Sequence, residues 1–330
     1  MRNIYEKIVF AYTDLADKLL PVGRLVRRNP YVMIFKTTNY CGYKCAHCCE
    51  NSGPDQAKSF ISPFVIKKYI RDALADPTFS RSVVFTGGEI MSAYDLFGVY
   101  YVPYLLGTCR EYKLSTDIKT NAAWVNGAHA QTIFNDLHHA ITNTKPYSIQ
   151  VSLSLDKYHP DSIKNNAAII KKLAKLPNAR AMVNVSYFDG DEKRYDELLK
   201  HVVRDGVDVS PCMILSNNQL SDIDMAGDLI LKKSVGKLFD GGRAKNLPNA
   251  GKTAFPQFKF MSSDFYTLMA FDSFGRVALG ENSGRKIGTH WRKSNGCPRD
   301  FWEIRDKLVS SAQYEELRAR ILHNWKPKQK

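Results

Sequence analysis

Between Tyr31 and Ser216 the chain alternates two hydrophobic patterns. Short runs rich in β-branched and aromatic residues, YVMIFKTT (31–38), SVVFTGG (82–88), LSTDIKTNA (114–122), SIQVSLSLD (148–156), ARAMVNVSYF (179–188) and VDVSPCMILS (207–216), read as buried strands. The stretches between them, 62–76, 92–112, 126–142, 161–176 and 191–205, carry apolar residues at helical spacing. Strand and helix thus alternate at intervals of about thirty residues, the pattern of successive βαβ units with parallel strands and right-handed crossovers. A doubly wound sheet and a whole or partial (β/α) barrel share this pattern, and six repeats fall short of the eight in a closed barrel. In either case chemistry collects where strands end. The polar groups that stand out, a cysteine loop after the first strand, Gly87-Gly88-Glu89, Thr120-Asn121, and Ser154 with Asp156, all fall at such ends and so on one rim.

The flanks read differently. Ile4, Ile8, Leu15 and Leu19 among charges predict an amphipathic helix within residues 1–30, ending near Pro21-Val22-Gly23. From residue 217 the pattern loosens into what reads as loops around one helix. FYTLMAFDSFGRVALG (265–280) predicts a hairpin turning at Asp272–Gly275, and an amphipathic helix over 300–323 closes the chain. The expected division is an N-terminal helix (1–30), a central α/β unit (31–245) and a small α+β cap (246–330).

Composition narrows the class. A chain of 330 residues with 44% hydrophobic positions is long enough for a large α/β core and too apolar for disorder. The net charge of +14 comes from short scattered pairs such as Arg27-Arg28 and Lys171-Lys172, without the ordered basic and aromatic pattern of an RNA-binding module, so nucleic acid is not favoured. The first thirty residues hold no uninterrupted apolar core, and no stretch approaches the roughly 20 apolar residues of a membrane span. A cytoplasmic setting follows as the expectation. Of seven cysteines, four crowd into one loop, which suits metal binding in a reducing compartment better than a disulfide framework.

That loop reads NYCGYKCAHCCENSGP, with Cys41, Cys45 and Cys48 spaced C-x3-C-x2-C. Thiolates suit zinc or an iron–sulfur cluster. Structural zinc wants four ligands, usually as two separated pairs. His47 or Cys49 is available as a nominal fourth, but adjacent residues rarely reach one tetrahedral ion, and no second pair lies downstream. Three thiolates can instead hold three irons of a [4Fe–4S] cube and leave the fourth iron open. Unligated buried cysteines are the third reading.

With these residues in view, the chain resembles the radical S-adenosylmethionine (radical SAM) superfamily. CGYKCAHC resembles its cysteine loop, with His47 at the usually aromatic position. FTGGE (85–89) resembles its second-strand glycine motif, and KTNAAW (119–124) its third-strand segment, with Ala122 in place of glycine. SLSLDKYH (152–159) and GGRA (241–244) resemble two further motifs. The resemblance covers about residues 31–245. It implies a partial (β/α)6 barrel, one [4Fe–4S] cluster on Cys41, Cys45 and Cys48, and S-adenosyl-L-methionine as second cofactor. It also implies cofactor contacts from His47, Gly87, Gly88, Glu89, Asn121, Ser152, Ser154 and Asp156. The implied reaction is reductive cleavage of S-adenosylmethionine to a 5′-deoxyadenosyl radical, which abstracts a hydrogen atom from an unactivated C–H bond. A reducing partner such as flavodoxin or ferredoxin is implied with it. Asn121 has a plainer reading as a helix N-cap. Ser152 and Ser154 alternate with Leu153 and Leu155, so both point to one face, either barrel interior or solvent.

CCENSGP, with FTGGE, TNAAW and LDKYH, further resembles radical enzymes that modify ribosomal peptides, including epimerases that return a hydrogen atom from a cysteine. The 246–330 cap is similar in outline to the SPASM module of such enzymes but lacks its cluster cysteines, Gly280 or a neighbour standing at the expected position. The substrate expected is a peptide, epimerised or otherwise modified, with an acidic leader suited to the basic charge. A small metabolite (sugar, nucleoside or amino acid) is the alternative, and a non-catalytic zinc or iron–sulfur module the third. Candidate catalytic groups are Cys297 in a loop, Cys212 in a predicted strand, where a buried small hydrophobe is the simpler reading, and Tyr158 and His159 after the fourth strand. Cys109 reads as structural, and Cys49 as either a neighbour without a role or a substrate-facing thiol.

Overall fold

The protein is described here from a computed structural model, which describes residues 31–76, 79–188, 190–216, 219–236, 242–248, 267–279, 286–291, 293 and 297–311. The expected N-terminal helix, residue Gly280 and positions 312–323 of the expected last helix lie outside the described residues.

The strands form where β-branched and aromatic residues run together. They are β1 (Tyr31–Thr38), β2 (Phe79–Gly87), β3 (Ser115–Thr120), β4 (Ile149–Ser154) and β5 (Met182–Phe188). The helices between them are α1 (Pro63–Ala73), α2 (Ala93–Phe97), α3 (Tyr101–Glu111), α4 (Ala130–Thr142), α5 (Ser162–Ala174) and α6 (Glu192–Arg204). Each longer helix buries one stripe, as α1 does through Ile66, Tyr69, Ile70 and Ala73. The single helix expected over 92–112 is two. Gly98, at φ +61°, leaves the right-handed region and separates α2 from α3.

Strands β1 to β5 lie side by side in chain order, all parallel. Order without reversal separates a partial barrel from a doubly wound sheet, because every crossover then turns the same way and the helices share one face. Consistent with this, α3 packs on α4, α4 on α5 and α5 on α6. Along the strands, Phe35, Phe85, Ile118, Val151, Leu153 and Val185 alternate into the core under those helices. The opposite face is polar: Lys36, Asp117, Gln150, Ser152, Asn184 and Ser186 occupy the intervening positions.

The sixth strand differs from expectation. Residues 207–216 do not continue the barrel: β6 (Val209–Ser216) pairs antiparallel with β7 (Gln219–Ala226), which pairs antiparallel with β8 (Leu229–Gly236). It is β8 that lies parallel beside β5. Over 219–236, where loops and a helix were expected, the chain therefore forms strands. Gly227-Asp228 is a two-residue turn between period-2 runs, and Gly227 has φ +58°. At the other edge the expected hairpin is present, with β9 (Thr267–Asp272) parallel to β1 and β10 (Arg276–Leu279) returning antiparallel to it. β11 (Lys286–His290) completes an eleven-stranded open sheet, ordered β11-β10-β9-β1-β2-β3-β4-β5-β8-β7-β6, and α7 (Phe301–Val309) follows.

Candidate functional site

The cysteine loop leaves β1 at Thr38 and folds back on itself before α1. Tyr40 bridges Gly53, Thr38 bridges Phe60, and the Ser52 hydroxyl donates to the Asn39 side-chain oxygen at 2.9 Å. Within this frame Cys41 is buried, 8% exposed, while Cys45 and Cys48 are half-buried. Backbone N–H groups already point at sulfur: Tyr43 donates to Cys41 Sγ at 3.4 Å and Ser52 to Cys48 Sγ at 3.3 Å. A third donor arrives from β3, the Asn121 side-chain amide, 3.3 Å from Cys41 Sγ.

The Gly-Gly-Glu turn after β2 supports the loop from below. Gly88 donates to the Thr38 carbonyl at 2.7 Å and Glu89 to the Tyr40 carbonyl at 2.9 Å. A Cβ on Gly88 would stand 2.0 Å from the Tyr40 oxygen, and one on Gly87, at φ +116°, 2.4 Å from the Thr38 oxygen. The sequence assigns these glycines to close approach of a ligand. The close approach found is to the backbone that opens the cysteine loop. Glu89, 4% exposed, accepts from the Met91 N–H, the Thr120 hydroxyl and the Asn121 N–H at 2.8–3.0 Å. Burial raises its pKa against these donors, which stabilise the charged form. Its carboxylate thus ties the ends of β2 and β3 together.

A second brace comes from residues to which sequence reasoning gave a motif but no role. Arg243 donates from its backbone to the Cys48 carbonyl and from Nε to the Cys45 carbonyl, both at 2.9 Å. Its two terminal nitrogens reach Asn51 Oδ1 and the Ser52 carbonyl. Gly242 packs so close that a Cβ would lie 2.4 Å from the Cys48 oxygen. Only a planar, five-donor head can reach so many acceptors at once.

On the open side of the loop, the residues after β4 gather around His47. Its ring stacks on Tyr158 with centroids 4.8 Å apart and meets His159 edge-on at 4.8 Å and Phe188 at 5.3 Å. Asp156, 3% exposed, takes His159 Nδ1 at 2.8 Å and lies 3.7 Å from His47 Nε2. Burial works against charge on both partners of the His159–Asp156 pair, yet their mutual attraction wins. His159 is pushed up to about 10, helped by the Cys45 sulfur, and Asp156 is lowered. Burial, with His159 and Arg243 adding to it against the pull of Asp156, drives His47 the other way, down to about 4, and its Nδ1 is a buried atom with no partner among the described residues.

Ser152, 5% exposed, donates to Asp117 at 2.6 Å and accepts from Gln150 at 3.1 Å. With half-buried Ser154 it lies on the sheet face opposite the helices, the interior alternative of the two the sequence left open. Asn121 and His159 reach the Cys41 and Cys45 thiols directly, Glu89 holds Asn121, and Tyr158 and Asp156 stand against His47. Cys212 and Cys297 are not among them. Cys212 is exposed on β6, the outermost strand, separated from β5 by two others, which corrects its reading as a buried strand residue. An edge strand has no sheet neighbour on one side to cover it. Cys297 is exposed in a segment anchored on α1, where the Tyr69 hydroxyl contacts the Trp291 and Arg299 carbonyls at 3.1 and 3.0 Å. That is the helix-covered side of the sheet. Cys109 is buried on α3, as expected.

Six parallel strands lie in barrel order, with three thiols after the first and Gly-Gly-Glu after the second. The sheet is a partial barrel and it is open. No family model and no curated protein matches the chain. Among solved structures, Streptococcus suis SuiB bound to S-adenosylmethionine is 16% identical, covering 88% of this chain and 68% of its own, with a TM-score of 0.48. SuiB bound to precursor peptide SuiA is 15% identical over 95% and 72%, with a TM-score of 0.47. AnSMEcpe with bound AdoMet is 11% identical over 87% and 82%, with a TM-score of 0.47.

The donor set fits an iron–sulfur cluster on chemical grounds. Burial, with the Glu89 carboxylate adding to it, pushes the Cys41 thiol up to about 12, so a cation must replace the proton for it to become a thiolate at neutral pH. Sulfurs around one tetrahedral zinc lie about 3.8 Å apart, given Zn–S near 2.3 Å. The tight group found within 4.8 Å among the described residues is instead Cys45, His47 and His159.

Proposed function

We propose that the chain is a radical SAM enzyme whose cluster is held by Cys41, Cys45 and Cys48, with a hydrogen-bonding substrate lying against the polar face of the partial barrel. The observation that carries this reading is the set of N–H donors aimed at Cys41 and Cys48 from a loop braced by Gly88, Glu89 and Arg243. When bound, the reduced cluster and S-adenosylmethionine together supply a carbon radical able to take a hydrogen atom from an unactivated C–H bond. The chain's own residues bind and orient. His47, whose Nδ1 has no partner among the described residues, and Ser154 line the approach to the thiols, and the His159–Asp156 pair holds a proton at the rim.

The substrate we propose is a peptide, epimerised or otherwise modified without net oxidation. The basic charge of the chain suits an acidic leader, and the main chain of a peptide matches a surface built of hydroxyls and side-chain amides. A polar small metabolite is the alternative on the same surface. Neither Cys212 nor Cys297 is retained as the hydrogen donor, because neither lies with the thiol loop.

A different class of reading has one observation in its favour. Cys45, His47 and His159 converge within 4.8 Å, with the Asp156 carboxylate 2.8 Å from His159 Nδ1 and 3.7 Å from His47 Nε2. That set offers three of the four ligands that a single structural zinc ion takes.

The deciding experiment is anaerobic reconstitution with iron and sulfide, followed by dithionite and S-adenosylmethionine. Iron near four per chain, with 5′-deoxyadenosine formed by the wild type and not by a Cys41→Ala/Cys45→Ala/Cys48→Ala variant, is the expected result. Zinc near one per chain with no iron uptake would establish the mononuclear site instead.

A further inference from the structure

Asn121 is the residue whose geometry departs most from the role the sequence suggested. It sits just past β3, 8% exposed, with its backbone N–H and both side-chain polar atoms engaged. Its backbone N–H donates to Glu89 Oε2 at 2.8 Å, and its side-chain oxygen accepts the Ala123 N–H at 2.9 Å. With Oδ1 committed, the amide plane is set, and Nδ2 is delivered to Cys41 Sγ at 3.3 Å. Thr120, beside it, is locked by the same carboxylate and by Ala122 and Trp124. The donor is therefore pre-oriented on a rigid support rather than left to a mobile side chain.

We propose that Asn121 is a positioning residue that tunes the Cys41 thiolate, acting on the cluster through an N–H···S hydrogen bond rather than contacting S-adenosylmethionine. The inference rests on the radical SAM reading of the site. A donor to a ligand sulfur withdraws electron density and favours the reduced, more negative cluster, so it raises the reduction potential. Tyr43 gives Cys41 one backbone donor, and Asn121 adds a side-chain donor reached across 80 residues of sequence, whereas the side-chain partner of Cys45 is His159. Glu89 contributes indirectly by clamping the Asn121 backbone.

The test is an EPR-monitored redox titration of the reconstituted cluster without S-adenosylmethionine, beside iron counts. Asn121→Ala removes the donor, and Asn121→Asp keeps shape and the Ala123 contact while replacing the amide N–H₂. Asn126→Ala is the control, since Asn126 lies on the same segment and bonds Asn165 instead, at 3.0 Å. The expected result is a full iron load with a lowered midpoint potential in both Asn121 variants and an unchanged one in the control. Unchanged potentials in the Asn121 variants, with weakened S-adenosylmethionine binding, would overturn the inference and return Asn121 to cofactor contact. A variant set in which Asn126→Ala shifts the potential equally would overturn it as well, marking a general loosening. A wild type that takes up no iron overturns the underlying reading and the inference with it, and the iron count tells that failure apart from the others.

Discussion

Gly88 shows how one missing side chain shapes the site. The Tyr40 carbonyl occupies the space a methyl group would need, and Glu89 donates to that same carbonyl. Gly88→Ala must push the opening of the cysteine loop away from β2. We expect a stability loss of about 3 kcal/mol or more and poor iron loading, measured by denaturant unfolding and iron analysis. Wild-type stability in that variant would contradict the packing. Ala122 is the opposite case. It holds φ +63° where an L-residue costs roughly 1–2 kcal/mol, offset in part by about 0.8 kcal/mol for its buried methyl group. Ala122→Gly should therefore leave stability unchanged or raise it by up to about 1 kcal/mol, read as the shift in denaturation midpoint. Both positions were visible as motif members in the sequence. The partner that makes each one matter lies elsewhere in the chain for Gly88, and in the local backbone angle for Ala122.

At the scale of elements, the cysteine loop is an irregular segment made rigid by its neighbours. Its carbonyls at Cys45, Cys48 and Ser52 are taken up by Arg243 from nearly 200 residues away. Arg243→Ala should lower the bound iron several-fold while leaving the far-UV circular dichroism of the barrel intact. Arg243→Lys should not rescue it, because a point-like ammonium cannot span those acceptors. Full iron retention in Arg243→Ala would show the loop to be held by Gly88 and Glu89 alone. The helix break at Gly98 and the β6–β7–β8 meander belong to this scale too. Gly98 and the Gly227-Asp228 pair were both present in the sequence as turn signals. A loose hydrophobic pattern hid them, because two-stranded antiparallel segments at a sheet edge need bury only one face.

At the scale of the molecule, the open sheet is extended at both edges, by β9 to β11 beside β1 and by β7 and β6 beyond β8. The residues after β11 are pinned to the barrel through Tyr69, whose hydroxyl meets the Trp291 and Arg299 carbonyls, and through the ion pair between Arg305 and buried Asp76 at 2.6 Å. Tyr69→Phe removes the hydroxyl and should cost about 1–2 kcal/mol. The loss should fall on the C-terminal segment, seen as faster hydrogen exchange over 286–311 with exchange in β2 to β4 unchanged. Uniformly faster exchange would mean that the segment and the barrel open as one unit.

The sequence by itself determined the βα alternation, the positions of the first five strands along the chain, and the gathering of polar groups at strand ends. Each of these depends on local periodicity and on residue types whose backbone preferences act over a few positions. It also determined the three-thiol spacing. What only the tertiary structure decided is which strand stands sixth, where Cys212 and Cys297 lie, and what the polar residues of the motifs touch. Glu89 faces Thr120 and Asn121, Asn121 faces Cys41, and Arg243 faces the loop carbonyls. Those pairings join residues tens to hundreds of positions apart, and a hydrogen bond is set by direction and distance in space, which no spacing along the chain specifies.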